Sequence, residues 1–129
     1  MDLQEDSSHD LCDDMFFATV SRDAEAGNYD SGFLMSPPCS TFCMARELGG
    51  PGCPAPLRGA EAPEIYGFKG ITGDDKERVR IGTRCALRCV QITRILSARS
   101  APWLWEQPKI RAGHVYLKWL RCSARQACG

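Results

Sequence analysis

The sequence lacks any hydrophobic run approaching the ~20 residues that cross a bilayer. Its opening residues, acidic rather than basic, are unlike a signal or transit peptide. These two absences point away from a membrane span and from export, toward an intracellular, reducing compartment, the nucleus included. There the eight cysteines (12, 39, 43, 53, 85, 89, 122 and 128) are thiols or metal ligands before they are disulfides. No internal repeat is visible, which argues against a solenoid. No Cys-x2-Cys knuckle is present, which removes the commonest structural zinc spacing. Net charge is missing too, with sixteen Lys and Arg balancing sixteen Asp and Glu.

What is present fits one globular domain. The 129 residues are 43% hydrophobic and 25% charged, enough to bury a core and too apolar for wholesale disorder. The zero net charge hides a split. Residues 1–36 hold nine acidic side chains against Arg22 alone, whereas residues 37–129 hold fifteen basic against seven acidic. A basic half suits a phosphate backbone. Two faces of one domain neutralising each other is the equally weighted alternative.

Residues 1–9 read as a frayed, polar start, and Asp10-Leu11 as the end of a short strand. Asp13 is an N-cap for a helix carrying Phe16, Val20 and Ala24 on one stripe, with Gly27-Asn28 as its stop. Phe33-Leu34-Met35 is uniformly apolar, as a strand covered on both faces should be. Residues 47–73 are rich in glycine and proline, a long loop that is either functional or disordered. Thr72-Gly73-Asp74-Asp75 opens a second helix, in which Ile81, Cys85, Cys89, Ile92 and Leu96 share a face. Pro102 stops that helix, and Trp103-Leu104-Trp105 reads as a strand ending at Glu106. Residues 109–129 form a poorly defined tail. The expected class is α/β.

Two motifs stand at the carboxyl ends of the two strands, where α/β sheets bind their ligands. Ser36-Pro37-Pro38-Cys39-Ser40-Thr41-Phe42 ends the first strand at its prolines and carries Cys39 clear of the sheet edge. Glu106-Gln107-Pro108 follows the second. Pro37-Pro38-Cys39 resembles the Pro-Pro-Cys motif of the cytosine-5 DNA methyltransferases, and Glu106-Gln107-Pro108 is similar to their Glu-Asn-Val motif, in the same order. The resemblance covers residues 10–108. It implies an incomplete Rossmann-like (class I methyltransferase) sheet with flanking helices, acting on DNA with S-adenosylmethionine as methyl donor.

By that resemblance Cys39 is the nucleophile. Its thiolate adds to carbon-6 of cytosine and makes carbon-5 enamine-like, which requires a cationic or helix-terminal neighbour such as Arg46. Glu106 is the acid that holds ring nitrogen N3 and the exocyclic amine, and burial beside Trp103 and Trp105 would favour its protonated form. Pro37, Pro38 and Ser40 are the neighbours expected to contact the substrate base, which must leave the duplex stack. Residues 47–73 look like the loop that closes over that base. Asp10 loosely resembles the acidic position that approaches the adenine of the cofactor.

The family's Phe-x-Gly-x-Gly cofactor turn and its Gln-x-Arg motif have no match, and Glu106-Gln107-Pro108 departs from Glu-Asn-Val at two positions. A separate chain or missing segment is therefore expected to supply the cofactor and target-recognition parts.

Two rival readings come from other classes. In one, Cys39, Cys43 and Cys53 with Cys85 and Cys89 bind zinc; against it, Cys85 and Cys89 fit a core-facing stripe. In the other, Arg78, Arg80, Arg84 and Arg88 line a helix against phosphates in a non-catalytic nucleic-acid-binding module.

Overall fold

A computed structural model describes residues 9–38, 40–42, 46, 50–59 and 61–106. Its elements run α1 (Asp14–Glu25), β1 (Phe33–Met35), a 3-10 turn at Glu64–Tyr66, α2 (Gly73–Ala98) and β2 (Trp103–Trp105). This is a mixed α/β chain with one two-stranded parallel sheet among the described residues. The contacts sort into two units. Residues 9–37 and 84–106 make the first, and the described residues of 38–83 make the second.

In the first unit, α1 begins where the sequence dictates. Asp13 is extended, and its Oδ1 accepts the Phe16 N–H at 2.8 Å, satisfying one of the orphan donors of the first turn. The helix stops in a Schellman motif: Asn28 N–H donates to the Asp23 carbonyl at 3.0 Å and Gly27 N–H to Ala24 at 3.2 Å, with Gly27 at φ +87°. A Cβ at Gly27 would also lie 2.3 Å from an Arg99 Nη2, so the guanidinium would have to shift to admit one, but it is the left-handed φ that calls for glycine. The end of α2 repeats the motif. Ala101 N–H donates to Leu96 at 2.9 Å and Ser100 N–H to Ser97 at 3.1 Å, but here a serine holds the left-handed position, at φ +58°.

The core of this unit joins Val20 and Ala24 of α1, Met35 of β1, Cys85, Cys89, Ile92 and Leu96 of α2, and Ala101. The expected stripes on both helices therefore face inward, apart from Ile81, which is exposed and belongs to the other unit. β1 and β2 pair in parallel, Phe33 with Trp103, Leu34 with Leu104 and Met35 with Trp105. Met35 is buried, but Leu34 and Leu104 are each 64% exposed. The expectation of a strand covered on both faces is thus corrected. Successive side chains alternate across the sheet, and only one face lies against the core. Asp10 and Leu11 lie in a turn rather than at a strand end, with Asp13 N–H donating to the Asp10 carbonyl at 2.9 Å. His9 is not frayed; its ring lies 5.4 Å from that of Phe16.

In the second unit, Leu57, Ile65 and Val79 are buried, and Arg58 is buried among them. Nε of Arg58 donates to Thr41 Oγ1 (3.1 Å), Nη1 to the Ile65 carbonyl and Thr83 Oγ1 (both 2.9 Å), and Nη2 to the Val79 carbonyl (2.8 Å). The glycine- and proline-rich stretch is therefore fastened to residues 79–83 of α2 at its middle. Gly82 permits this closeness, since a Cβ there would meet Thr41 Oγ1 at 3.0 Å and Arg58 Nη2 at 3.3 Å. Residues 1–8 and the expected tail at 109–129 lie outside the described residues.

Ser100→Gly relieves a left-handed serine at a helix end and is expected to stabilise the protein by about 0.5 to 1 kcal/mol, read as a higher Tm. An unchanged or lower Tm refutes this account of the α2 terminus. Arg58→Leu strips donors from four acceptors and is expected to cost about 3 kcal/mol or more in denaturant titration. A loss under about 1 kcal/mol would show that the guanidinium is not what holds the loop.

Candidate functional site

The two motif-bearing segments leave the same end of the sheet. Parallel pairing sets Met35 against Trp105, and Glu106 N–H continues the ladder by donating to the Met35 carbonyl at 2.9 Å. The Met35 thioether accepts the Trp105 indole N–H at 3.2 Å and faces the Thr93 hydroxyl at 3.9 Å, which locks this end to α2. Beyond it Ser36 and Pro38 are exposed, whereas Pro37 is buried. Cys39, the predicted nucleophile, lies outside the described residues, as does Cys43.

The three residues after Cys39 are held by two arginines. Arg46, buried, donates from Nε to the Ser40 carbonyl at 2.8 Å and from Nη1 to the Ala55 carbonyl at 2.9 Å, with the Asp75 carboxylate 4.0 Å away. Arg58 takes the Thr41 hydroxyl, and its guanidinium stacks 3.9 Å over the Phe42 ring. Thr41 and Phe42 are buried and Ser40 is exposed. Sequence reasoning singled out Arg46 as a nearby cation but missed Arg58. Two of its four acceptors are backbone carbonyls and two are threonine hydroxyls, a set that carries no sequence signature.

Glu106 is exposed, not buried beside the tryptophans. Trp103 is 40% exposed and Leu104 more so, and Trp105 is half-buried. The expectation of a carboxyl enclosed in an apolar pocket is corrected accordingly; the side chain at this position meets water. Asp10 is half-buried and its Oδ1 accepts the Cys12 N–H at 2.7 Å, an Asx turn that feeds the start of α1. That carboxylate is committed to its own backbone. Asp10 Oδ1 therefore does not stand free for a cofactor's adenine, and no step through S-adenosylmethionine is derived from the described residues.

Four arginines of α2, Arg78, Arg80, Arg84 and Arg88, are engaged within the chain. Arg78 lies 3.7 Å from Asp75, and Arg80 grips Glu77 with two bonds of 2.7 and 2.6 Å. Arg84 meets Asp14 at 2.5 Å, while buried Arg88 bonds the Asp14 carboxylate and the Leu11 and Asp13 carbonyls and lies 4.6 Å from the Phe17 ring centre. Arg99 chelates Asp30 at 3.0 and 2.7 Å and donates to the Glu25 carbonyl at 2.9 Å, closing the last turn of α1. In this unit, acidic residues of the first third neutralise basic residues of α2, which is the second of the two charge readings. Among the described residues no group of three or more His, Cys, Asp or Glu is arranged to hold a metal ion. Nor, among them, is any helix long and apolar enough to cross a membrane.

The Arg99 hydrogen bonds hold the Asp30 carboxyl below its ordinary 3.8, and Arg84 and Arg88 do the same for Asp14. A carboxylate depressed in the folded state stabilises it above the unfolded pKa and loses that contribution as pH falls through the folded value. Asp30→Asn is therefore expected to flatten the acid limb of Tm against pH below about pH 4, with the difference shrinking in high salt. Parallel wild-type and variant curves would rule the pair out as a contributor.

No protein-family model, curated protein or solved structure matches this chain.

Proposed function

We propose that this chain carries the nucleophile-bearing part of a cytosine-5 DNA methyltransferase-like domain of Rossmann-like topology. Cys39 is its nucleophile and Glu106 its base-contacting acid. The observation that supports the reading best is the parallel, in-register pairing of Phe33–Met35 with Trp103–Trp105. Two segments far apart in sequence, each ending in one of the two motifs, leave the sheet at the same end. Cys39 follows Met35 by four residues, a covalent reach of at most about 14 Å. Ser40, Thr41 and Phe42 are held by Arg46 and Arg58, and positive charge near a cysteine favours the thiolate over the thiol.

The chemistry asked of these residues is limited and specific. The Cys39 thiolate adds to carbon-6 of an extruded cytosine, and the displaced electron pair makes carbon-5 nucleophilic. The Glu106 carboxyl hydrogen-bonds N3 and the exocyclic amine, where the resulting charge accumulates. Pro37, Pro38 and Ser40 border the base. The methyl donor implied by the family, S-adenosylmethionine, and the target-recognition surface are assigned to another segment or partner chain. The ion pairs already made by Arg78, Arg80, Arg84 and Arg88 favour this reading over a phosphate-binding basic helix.

Incubation with DNA containing 5-fluorocytosine, S-adenosylmethionine and a supplied chain carrying the cofactor and target-recognition parts is expected to give a covalent adduct that Cys39→Ser abolishes. Glu106→Gln is expected to slow adduct formation by about 10²–10⁴-fold. With the methyl donor left out, the same addition should exchange the carbon-5 hydrogen of ordinary cytosine with deuterated solvent. Neither adduct nor exchange would overturn the enzymatic reading, and an adduct surviving in Cys39→Ser would overturn the assignment of the nucleophile.

A further inference from the structure

The four hydrogen bonds of Arg58 divide between two kinds of partner. Three go to the base of the second unit: Nη1 to the Ile65 carbonyl and to Thr83 Oγ1, and Nη2 to the Val79 carbonyl. Val79 and Thr83 lie about one turn apart on α2, so this side of the guanidinium is seated on a regular helix. The fourth, from Nε, reaches Thr41 Oγ1 at 3.1 Å, and the same guanidinium lies 3.9 Å from the centre of the Phe42 ring. Thr41 comes two positions after Cys39 in the sequence.

The helix backbone itself comes up to this pair of residues. A Cβ on Gly82 of α2 would stand 3.0 Å from Thr41 Oγ1 and 3.4 Å from Phe42 Cε2. Thr41 and Phe42 are buried by the approach, while Ser40 before them is exposed.

We propose that Arg58 is a positioning residue for Cys39, tying the chain just past that thiol to α2 through the Thr41 hydroxyl and the Phe42 ring. The inference rests on the proposed reading of Cys39 as the nucleophile and deepens it by naming what sets the thiol in place. Arg46 also grips this segment, at the Ser40 carbonyl, but its other hydrogen bond goes to the Ala55 carbonyl, in a stretch without regular structure. A helix is the stiffer base. Reacting groups must be held to within about 0.5 Å of their productive geometry, and a misplacement of about 1 Å costs on the order of 10²-fold in rate.

The guanidinium fork suits this role because its separate nitrogens serve Thr41 and α2 at once. A lysine ammonium, a single nitrogen, cannot bridge the same four acceptors. Of those acceptors only Thr41 lies on the Cys39 side, so its hydroxyl is the one hydrogen-bond link whose loss frees the segment. The Ile65, Val79 and Thr83 bonds back one another up. Holding the segment also keeps a positive charge close to the thiol, which favours its thiolate.

The test is alkylation of the full chain by iodoacetamide over a pH series, read by peptide mass spectrometry, with exposed Cys53 as the internal reference. Thr41→Val is expected to slow Cys39 about tenfold against Cys53 at pH 7 and to displace its pH profile upward. Thr41→Ser, which keeps the hydroxyl, should restore both. Thr83→Val removes the same kind of acceptor from the same guanidinium. It is expected to lower Tm about as much as Thr41→Val does, with the Cys39-to-Cys53 ratio unchanged. Should Thr41→Val fail to fold, Arg58→Lys decides, with the same tenfold fall expected. An unchanged ratio in the deciding variant overturns the proposal, and so does an equal fall in Thr83→Val. Alkylation needs neither DNA nor a methyl donor, so the two readings fail separately. The expected ratios without a 5-fluorocytosine adduct would retire the methyltransferase reading alone, and an adduct with unchanged ratios would retire the role of Arg58 alone.

Discussion

Three residue pairs of parallel sheet join segments that are 70 positions apart at Met35 and Trp105. Parallel strands cannot be joined by a hairpin, so everything between β1 and β2 serves as their connection. The register matters more than the length. A slip by one residue would turn Met35 out of the core and Leu34 into it, and it would separate the Glu106 N–H from the Met35 carbonyl. The Met35 thioether guards against this slip, because it receives the Trp105 indole and faces Thr93 of α2. A soft acceptor thereby ties a very small sheet to a long helix.

The second organising feature is the use of guanidinium groups as fasteners. Arg58 and Arg88 are both buried: Arg58 ties the Thr41 hydroxyl to the Ile65 carbonyl of the 3-10 turn and to Val79 and Thr83 of α2, and Arg88 ties α2 to the Leu11 and Asp13 carbonyls that precede α1. A planar fork with five donors suits this task, since it can satisfy several carbonyls at once where no ladder can form. Burying such a charge is costly unless nearly every donor is met. The number and variety of acceptors around each group meet that condition. Arg99 does a related job in the open, capping α1 while chelating Asp30.

Much of this was legible before any coordinates. Asp13, Gly27 and Pro102 punctuate the chain as their chemistry requires, and the bounds of Phe33–Met35 and Trp103–Trp105 follow from apolar runs stopped by polar or proline residues. That the two strands are neighbours was a condition of the motif reading rather than something the sequence supplied, and the parallel pairing meets it. What could not be read is cover. An apolar triplet is written alike whether one face or both is buried, so Leu34 was expected inside and is not. The same ambiguity hid the exposure of Glu106, whose neighbours Trp103 and Leu104 are themselves wet. Arg58 escaped, and Arg88 was expected on a phosphate-facing surface, because periodicity sorts residues by hydrophobicity and a buried arginine breaks that rule in favour of hydrogen bonding.

Pleating that buries Met35 also leaves Leu34 and Leu104 side by side on the outer surface. The molecule carries no formal net charge at pH 7, and its isoelectric point is about 6.7. Near neutrality, long-range repulsion is therefore at its weakest while this greasy step stays uncovered. Colloidal behaviour follows from the pair of facts: solubility has its minimum close to neutral pH and rises on either side, as the chain acquires charge of one sign.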